Sequence, residues 1–201
     1  MTTSNDLPVK RFASRAAWQA WLAKHHDSSR GVWLELAKKD SGLRLLSRAE
    51  AWEVALCYGW IDGQAASLDS KRWRQRFTPR RPRSNWSQIN CAAVERLQAE
   101  GRLAPAGLRE MRAAKRDGRW EAAYASPRTM LVPEDLQAAL RAHPRARRAF
   151  ARLDSRNRYA ILYRLHAARR ADTRQRRLAS FIRMLDAGET LHPRKSRRPA
   201  D

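Results

Sequence analysis

Residues 56–90 constrain the fold more than any other part of the chain, because the spacing of their apolar residues changes twice. An apolar stripe at helical spacing gives way to two short stretches of alternating polar and apolar residues, and helical spacing then returns. In the second stretch Arg72, Arg74 and Arg76 share one side of a strand, because successive side chains point to opposite faces. The segment therefore predicts a helix, two antiparallel strands joined by a turn at residues 69–70, and another helix.

The residues before this segment predict two helices and a further strand. Ser14 is placed to cap the first helix, and Ser47 begins a capping box at the start of the second. The short apolar run 32–37 predicts a strand, and residues 43–46 are placed to return beside it as a hairpin. Residues 1–11 are polar and are expected to be irregular.

The residues after the segment predict a mainly helical chain. Ser84 is expected to cap a helix whose apolar side carries Trp86 and Ile89, and the elements after Pro133 are expected to be helices only. The predicted fold class is therefore α+β: a small antiparallel sheet flanked by helices, followed by an all-helical C-terminal part. We expect an N-terminal α+β part at residues 12–120, a C-terminal helical part at residues 130–190 and a basic tail at residues 194–201.

The positive charge of the chain is extreme. Lys and Arg number 42 against 20 Asp and Glu, which gives a formal net charge of +22. A positive surface of this size attracts polyanions, so nucleic acid or another anionic surface is an expected partner. The alternative is a compositional bias, because arginine is abundant along the whole chain, including its ordinary helix faces.

The sequence predicts neither a membrane segment nor a cofactor. No apolar run has the length of a signal peptide or a membrane span, so we expect a cytoplasmic protein. Cys57 and Cys91 are expected to be buried small hydrophobic residues, and neither they nor the five histidines show metal-binding spacing.

Seven sequence segments follow one another in an order that points to a known family: EAWEVALCYGWIDG, RFTPRRPRSNWSQIN, GRLAPAGL, DGRWEAAY, VPEDLQAAL, NRYAILYRL and GETLHP. Together they closely resemble the YdeI/OmpD-associated family, whose members are often labelled bacteriocin-protection proteins. The resemblance covers roughly residues 12–193, and the helical region at about residues 130–190 looks like the part that defines the family.

The resemblance implies a role in resistance to bacteriocins and cationic antimicrobial peptides, and an association with an outer-membrane porin. It implies no general reaction, so no catalytic residue is carried over from it. A protein of net charge +22 repels cationic peptides, which argues against direct capture of such a peptide. Any protective role is therefore expected to be intracellular and indirect.

The first candidate site is the segment 71–83, which carries seven positive charges and no acid. Arginine binds phosphate through two parallel hydrogen bonds, and a neighbouring Trp73 or Trp86 could stack on a base. The other interpretation is a solvated face of an arginine-rich protein, with the aromatic residues of the strand turned to the core. The expected binding residues are Arg72, Arg74, Arg76, Arg80, Arg81, Arg83 and Trp86.

Two further candidates lie outside that segment. Trp60 and Asp62, between Gly59 and Gly63, could line a ligand pocket, although acid–base chemistry normally requires a second positioned group. The alternative is a tight helix-to-strand turn in which Asp62 pairs with backbone amides or an arginine. The arginine-rich segment 141–183 is either a second polyanion surface or the solvated side of a helical bundle.

Three functional hypotheses follow. The first is a non-enzymatic, cytoplasmic family member that acts in bacteriocin or envelope-stress resistance by binding through the basic face at residues 71–83. The second is a nucleic-acid-binding protein that uses the same face, and it predicts an affinity that falls steeply with salt. The third is an enzyme with a concave site near Trp60 and Asp62.

Overall fold

The computed structural model describes residues 7–193 of the chain. The chain divides into two compact units after Ala123. The limits expected for the two parts, residues 12–120 and 130–190, stay predictions. The basic tail predicted at residues 194–201 lies outside the described residues.

A four-stranded sheet and four helices form the described part of the N-terminal unit. In chain order these elements are β1 (Val9–Lys10), α1 (Arg15–His25), β2 (Val32–Ala37), α2 (Arg48–Cys57), β3 (Trp60–Ser67), β4 (Arg72–Pro79), α3 (Gln88–Ala99) and α4 (Pro105–Arg116). The strands lie in the order β1-β2-β4-β3. β4 pairs antiparallel with both β2 and β3, whereas β1 pairs parallel with β2, so the sheet is mixed.

One face of the sheet is buried against α1 and α2. The register places Val32 opposite Phe77 and Leu36 opposite Trp73, so β2 and β4 direct apolar side chains to this face. The pattern follows from the alternation of side chains along a strand. The buried residues of this core are Trp18, Leu22, Val32, Leu34, Leu36, Leu46, Ala51, Val54, Ala55, Trp60 and Phe77. The arginines of β4 are therefore directed to the opposite face.

A second core of the N-terminal unit joins α2, α3 and α4. It includes Leu56, Trp86, Leu97 and Met111, all of them buried. Gly107 of α4 lies so close to the backbone carbonyl of Cys57 that a Cβ atom would collide with it. The close packing of α4 on the end of α2 therefore depends on the absence of a side chain at this position.

The described C-terminal unit is helical. Its helices are α5 (Glu134–Ala142), α6 (Pro144–Ala151), α7 (Ser155–His166) and α8 (Ala171–Asp186). They share a core of ten buried apolar residues that includes Leu136, Phe150, Ile161 and Phe181. Asn157 is buried and exchanges two hydrogen bonds with the backbone of His192, at 2.9 and 3.2 Å, which ties the segment after α8 to α7.

The predicted fold class, α+β, is confirmed, although the sheet is mixed and not purely antiparallel, and the predicted start signals of α1 and α2 are confirmed as well. The Ser14 side chain accepts a hydrogen bond from the amide of Ala17, and Ser47 forms the expected capping box with Glu50. The same contact with Ser47 lowers the pKa of the Glu50 carboxyl. Gly59 follows α2 with φ of 71°, a conformation that glycine adopts at little cost.

Several details differ from the sequence-based expectation. Residues 43–46 do not form a strand, because β4 occupies the position beside β2. Residues 9–10 form the short edge strand β1 rather than irregular chain. Ser87, not Ser84, caps α3, so Trp86 precedes the helix and Ile89 is exposed.

The longest described helix, α8, has 16 residues, whereas a membrane-spanning helix needs about 20 predominantly apolar ones. Among residues 7–193, no helix combines the length and apolar character needed to cross a bilayer.

Candidate functional site

The face of the sheet that points away from α1 and α2 carries Arg72, Arg74 and Arg76, which we call the arginine face. On the neighbouring strand β2, Trp33 is paired with Arg76 and Glu35 with Arg74. The three arginines are half-buried. Sequence periodicity predicted this shared face, and the register of the sheet adds Trp33 and Glu35 to it.

Arg72 is held by carboxylates on both sides. Its guanidinium contacts Asp69 at 2.7 Å and Glu35 at 3.4 Å, and Arg11 contacts the same Glu35 oxygen at 2.6 Å. The hydrogen bond from the Arg72 side chain lowers the pKa of the Asp69 carboxyl, so this exposed carboxylate stays ionised. The charge of Arg72 is consequently balanced by neighbours.

Arg74 is positioned by an aromatic ring instead of a carboxylate. Its guanidinium carbon lies 4.6 Å from the centre of the Trp33 ring, and Trp33 is only 5% exposed. Within residues 7–193 the Nε atom of Arg74 has no hydrogen-bond partner, and its guanidinium forms no ion pair. A cation held over an indole keeps its positive charge, so Arg74 remains electrostatically attractive to an anion.

Arg76 lies against the backbone of the edge strand β3. A Cβ atom built on Gly63 would be 3.1 Å from the Arg76 Nε atom and 3.3 Å from its Nη2 atom. The missing side chain at Gly63 therefore leaves room for the Arg76 guanidinium on the arginine face.

Arg80 and Trp86 belong to the second core. Arg80 is 6% exposed, its guanidinium carbon lies 3.6 Å from the centre of the Trp86 ring, and its Nη1 atom donates to the carbonyl of Asn85 at 3.4 Å. Trp86 is 2% exposed and its ring packs 4.8 Å from that of Trp120. Trp86 is therefore placed to hold Arg80, and little of its surface is open to a nucleic-acid base.

Three other cations of the segment are exposed. Lys71 precedes β4, and Arg81 and Arg83 lie in the loop that follows it. Within the described part of the chain, the side chains of these three residues form no ion pair with a carboxylate. Arg83 has φ of 64°, a left-handed conformation that is uncommon for a residue with a Cβ atom. The exposed positive charge therefore extends from the arginine face into this loop.

Trp60 is buried in the first core, and Asp62 is half-buried in β3. Trp60 is 1% exposed, and its Nε1 atom donates to the carbonyl of His26 at 3.1 Å within the first core. Asp62 forms an ion pair with Arg48 at 3.1 Å. The pairing of the Asp62 carboxylate with an arginine agrees with the alternative interpretation, but Asp62 lies within β3 and not in a turn.

The cysteine chemistry is that of buried thiols. Burial raises the pKa of both Cys57 and Cys91 to about 11, so the thiols stay protonated at neutral pH and are poor nucleophiles. Within the described ranges, His, Cys, Asp and Glu side chains do not assemble in a group of three that could hold a metal ion.

The C-terminal unit has positive charge of its own. Among the arginines that sequence analysis placed there, Arg174 pairs with Asp135 at 2.6 Å, and both Arg170 and Arg176 pair with Asp172. Others are exposed and have no carboxylate partner among the described residues: Arg147, Arg148, Arg152, Arg156 and Arg169. This surface is thus only partly neutralised by its own carboxylates.

Sequence reasoning missed the residues that decide which arginines have their charge balanced by a carboxylate. Trp33, Glu35 and Asp69 were not expected at the site, although each contacts an arginine of β4. Asp69 could have been recognised, because an aspartate at a turn commonly accepts hydrogen bonds from the next amides, and here it accepts from Lys71 and Arg72. Trp33 and Glu35 required the pairing of β2 with β4, which the sequence did not reveal.

Two family models match the chain. Residues 10–110, half of its 201 residues, match a family described as "Domain of unknown function (DUF8412)". Residues 129–188 match the family described as "Bacteriocin-protection, YdeI or OmpD-Associated". No curated protein and no solved structure matches the chain.

The resemblance found in the sequence is confirmed, with the match limited to residues 129–188. The arginine face and the loop that follows it lie within the other match, at residues 10–110. The chain therefore belongs to the DUF8412 family through its N-terminal half and carries a YdeI/OmpD-associated domain in its C-terminal part.

Proposed function

We propose that this protein is a non-enzymatic binding protein that contacts nucleic-acid phosphates through the arginine face and the adjoining loop. The supporting observation is that the side chains of Lys71, Arg74, Arg81 and Arg83 form no ion pair with a carboxylate within residues 7–193, in a chain segment without acidic residues. Arg76 lies beside them on the same face. The ligand-facing residues we propose are these five.

The spacing of the arginines suits a phosphate backbone. Residues two apart on a strand are separated by roughly 6.6 Å, so Arg74 and Arg76 can reach different phosphates of one strand. Arginine binds phosphate oxygens through its planar fork, and several such contacts add affinity that falls with salt. Arg72, which two carboxylates neutralise, contributes less than the sequence suggested.

The proposed binding is weakly dependent on base sequence. Specific readout requires contacts with base edges, for which this segment offers mainly arginines, and base stacking is unfavoured because the tryptophans of this region are largely buried. Trp86 is 2% exposed, and the Trp73 indole nitrogen donates to the carbonyl of Ala37 at 3.2 Å. Contacts with phosphates therefore dominate in this proposal.

In this proposal, the bacteriocin protection named in the description of the matched family is an indirect role of the protein. The net charge of +22 disfavours direct capture of a cationic bacteriocin or antimicrobial peptide. Binding of nucleic acid would place the protein in the cytoplasm and make its protective effect a consequence of an intracellular function.

The test compares the affinities of two charge-matched triple variants for single-stranded and double-stranded oligonucleotides across a salt series. One variant carries Arg74→Gln, Arg81→Gln and Arg83→Gln. The control removes the same charge from the C-terminal unit, where Arg145, Arg148 and Arg152 are exposed and are changed to Gln. Because both variants lose three positive charges, a difference between their affinities depends on where the charges lie and not on the net charge.

We expect the first variant to lose most of the affinity at physiological salt and the control to lose little. Loss of three phosphate contacts makes the negative slope of log K against log salt shallower by about 2–3. Equal losses in the two variants, or binding that disappears below physiological salt in the unaltered protein, would show that the charge of the arginine face has no dedicated binding role.

A further inference from the structure

The C-terminal unit has an open apolar groove between α5 and α8, with a volume of about 400 Å³. Its lining residues are Ala139 from α5, His143 between α5 and α6, and Gln175, Leu178, Ala179, Ile182 and Arg183 from α8. The groove lies outside the arginine face and is independent of the nucleic-acid proposal.

The residues of α8 in the groove form one continuous helix stripe. Their positions are spaced i, i+3, i+4, i+7 and i+8, which places them along the same side of the helix. The nine residues from Gln175 to Arg183 span about 12 Å at 1.5 Å per residue. Ala139 of α5 and His143, the residue that follows this helix, form the opposite wall.

The floor of the groove is apolar and shallow. Leu178 and Ala139 are half-buried, Ile182 is 5% exposed and Ala179 is exposed. The alanines leave the space between the two helices unfilled, so a side chain from outside can enter and contact Leu178 and Ile182. An open apolar channel with these dimensions matches the way a helix places anchor residues at i, i+3 or i+4, and i+7 into a groove.

The charge around the groove defines what kind of helix would fit. Among the lining residues the charged side chain is Arg183, which is exposed and has no carboxylate partner within the described residues. His143 contacts Asp186 at 3.2 Å, so this carboxylate beside the groove is already engaged. The unit as a whole carries more arginine than acid. A partner therefore needs apolar anchors and negative charge.

We propose that the groove between α5 and α8 binds an acidic amphipathic helix of a partner protein. Leucine-like side chains of that helix occupy the space above Ala139 and Ala179, and a carboxylate on its flank pairs with Arg183. The binding is driven by burial of apolar surface, and the charge selects acidic over basic helices.

The probe is a synthetic amphipathic peptide with leucine at i, i+3 and i+7 and glutamate on the remaining face. A scrambled peptide of the same composition controls for attraction by the net charge alone, and a peptide with lysine in place of glutamate tests the charge requirement. Binding to the full chain is measured by fluorescence anisotropy at physiological and at raised salt.

Two variants test the groove and one controls for charge. Ala179→Leu fills the space at an exposed position, and Arg183→Glu reverses the charge at the rim. Arg156→Glu makes the same charge change at an exposed residue of α7 outside the groove. Circular dichroism establishes that each variant keeps its helical content, and Arg183→Glu keeps the test decisive if Ala179→Leu fails to fold.

We expect the acidic amphipathic peptide to bind at least about tenfold more tightly than the scrambled peptide at raised salt, where surface charges are screened. Ala179→Leu and Arg183→Glu should each weaken this binding by about tenfold or more, and Arg156→Glu by no more than about twofold. Equal affinity for the scrambled peptide, or equal losses from Arg156→Glu and Arg183→Glu, would overturn the proposal. Failure of the peptide to bind at all would overturn it as well.

Discussion

The guanidinium carbon of Arg74 lies 4.6 Å from the centre of the Trp33 ring, and the two residues are diagonal neighbours on adjacent strands. Arg74 is directly opposite Glu35, yet the carboxylate of Glu35 is engaged by Arg11 and Arg72. The ring therefore holds Arg74 in place without neutralising it. Arg74 therefore differs from Arg72 on the same strand, whose positive charge is balanced by Asp69 and Glu35.

The contact between Arg74 and Trp33 should contribute to stability. We expect Arg74→Gln to lower the free energy of unfolding by about 0.5–1 kcal/mol, because a cation–π contact at a partly exposed site has that magnitude. Urea denaturation followed by circular dichroism measures the change. Arg81→Gln, at an exposed loop position, is the control and should alter the free energy by less than about 0.5 kcal/mol.

Removal of the carboxylate that pairs with Arg72 should strengthen nucleic-acid binding. We expect Asp69→Asn to increase affinity several-fold and to steepen the salt slope by about 0.9, because Arg72 becomes available to one more phosphate. The asparagine oxygen can still accept hydrogen bonds from the amides of Lys71 and Arg72, so the turn is retained.

A matched control separates this effect from the change in net charge. Glu95→Gln removes one negative charge from an exposed residue of α3, whose contact with Lys115 is long at 3.8 Å. Oligonucleotide affinity should rise clearly more in Asp69→Asn than in Glu95→Gln. An equal rise in the two variants contradicts a specific role for Arg72.

Gly107 should be indispensable for the packing of α4. Alanine normally stabilises a helix by about 1 kcal/mol relative to glycine, but a Cβ atom here collides with the carbonyl of Cys57. We therefore expect Gly107→Ala to destabilise the protein by about 1–3 kcal/mol, as overpacking does. Thermal unfolding measures the effect, and a variant as stable as the unaltered protein would contradict the close approach.

The ion pair between Asp135 and Arg174 should stabilise the C-terminal unit at neutral pH, and this stabilisation should be lost in acid. The side-chain hydrogen bond from Arg174 lowers the pKa of Asp135 in the folded protein. The contribution of the ion pair to the free energy of unfolding is therefore complete above the pKa of the unfolded carboxyl, near 3.9. It is lost as the pH falls through the lower pKa of Asp135 in the folded protein. Arg174→Gln should reduce stability at neutral pH, and the difference from the unaltered protein should shrink in acid.

Asp135→Asn provides the complementary measurement. This variant removes the group that titrates, so its unfolding free energy should fall less steeply below pH 4 than that of the unaltered protein. Arg174 also donates to the carbonyl of Leu165 at 2.8 Å, a contact without a titrating partner. A part of the Arg174→Gln effect should consequently persist in acid.

The start signals of α1 and α2 and the alternation along β4 were predicted correctly because their causes are local. The Ser14 cap and the Ser47–Glu50 capping box depend on residues three apart, and the alternation along β4 depends on neighbours in the chain. The strand expected at residues 43–46 failed for the opposite reason. β2 pairs with β4, which lies more than thirty residues away, and local patterns carry no information about that choice.

The same distinction applies to the candidate site. Periodicity identified the shared face of Arg72, Arg74 and Arg76, but the charge state of that face depends on Glu35 and Trp33 from another strand. Sequence analysis considered Trp86 as a residue that could stack on a base. Trp86 is instead buried and packs on Trp120, and that contact joins residues 34 positions apart.

The most direct test of phosphate binding by the arginine face is an NMR titration of the arginine Nε–Hε signals with a short single-stranded oligonucleotide at physiological salt. The account predicts the largest and saturable shifts at Arg74, Arg76, Arg81 and Arg83, with smaller shifts at Arg72 and at the arginines of the C-terminal unit. Shifts of similar size at Arg145, Arg148 and Arg152, or shifts spread evenly over all arginines, would contradict a dedicated site on the sheet.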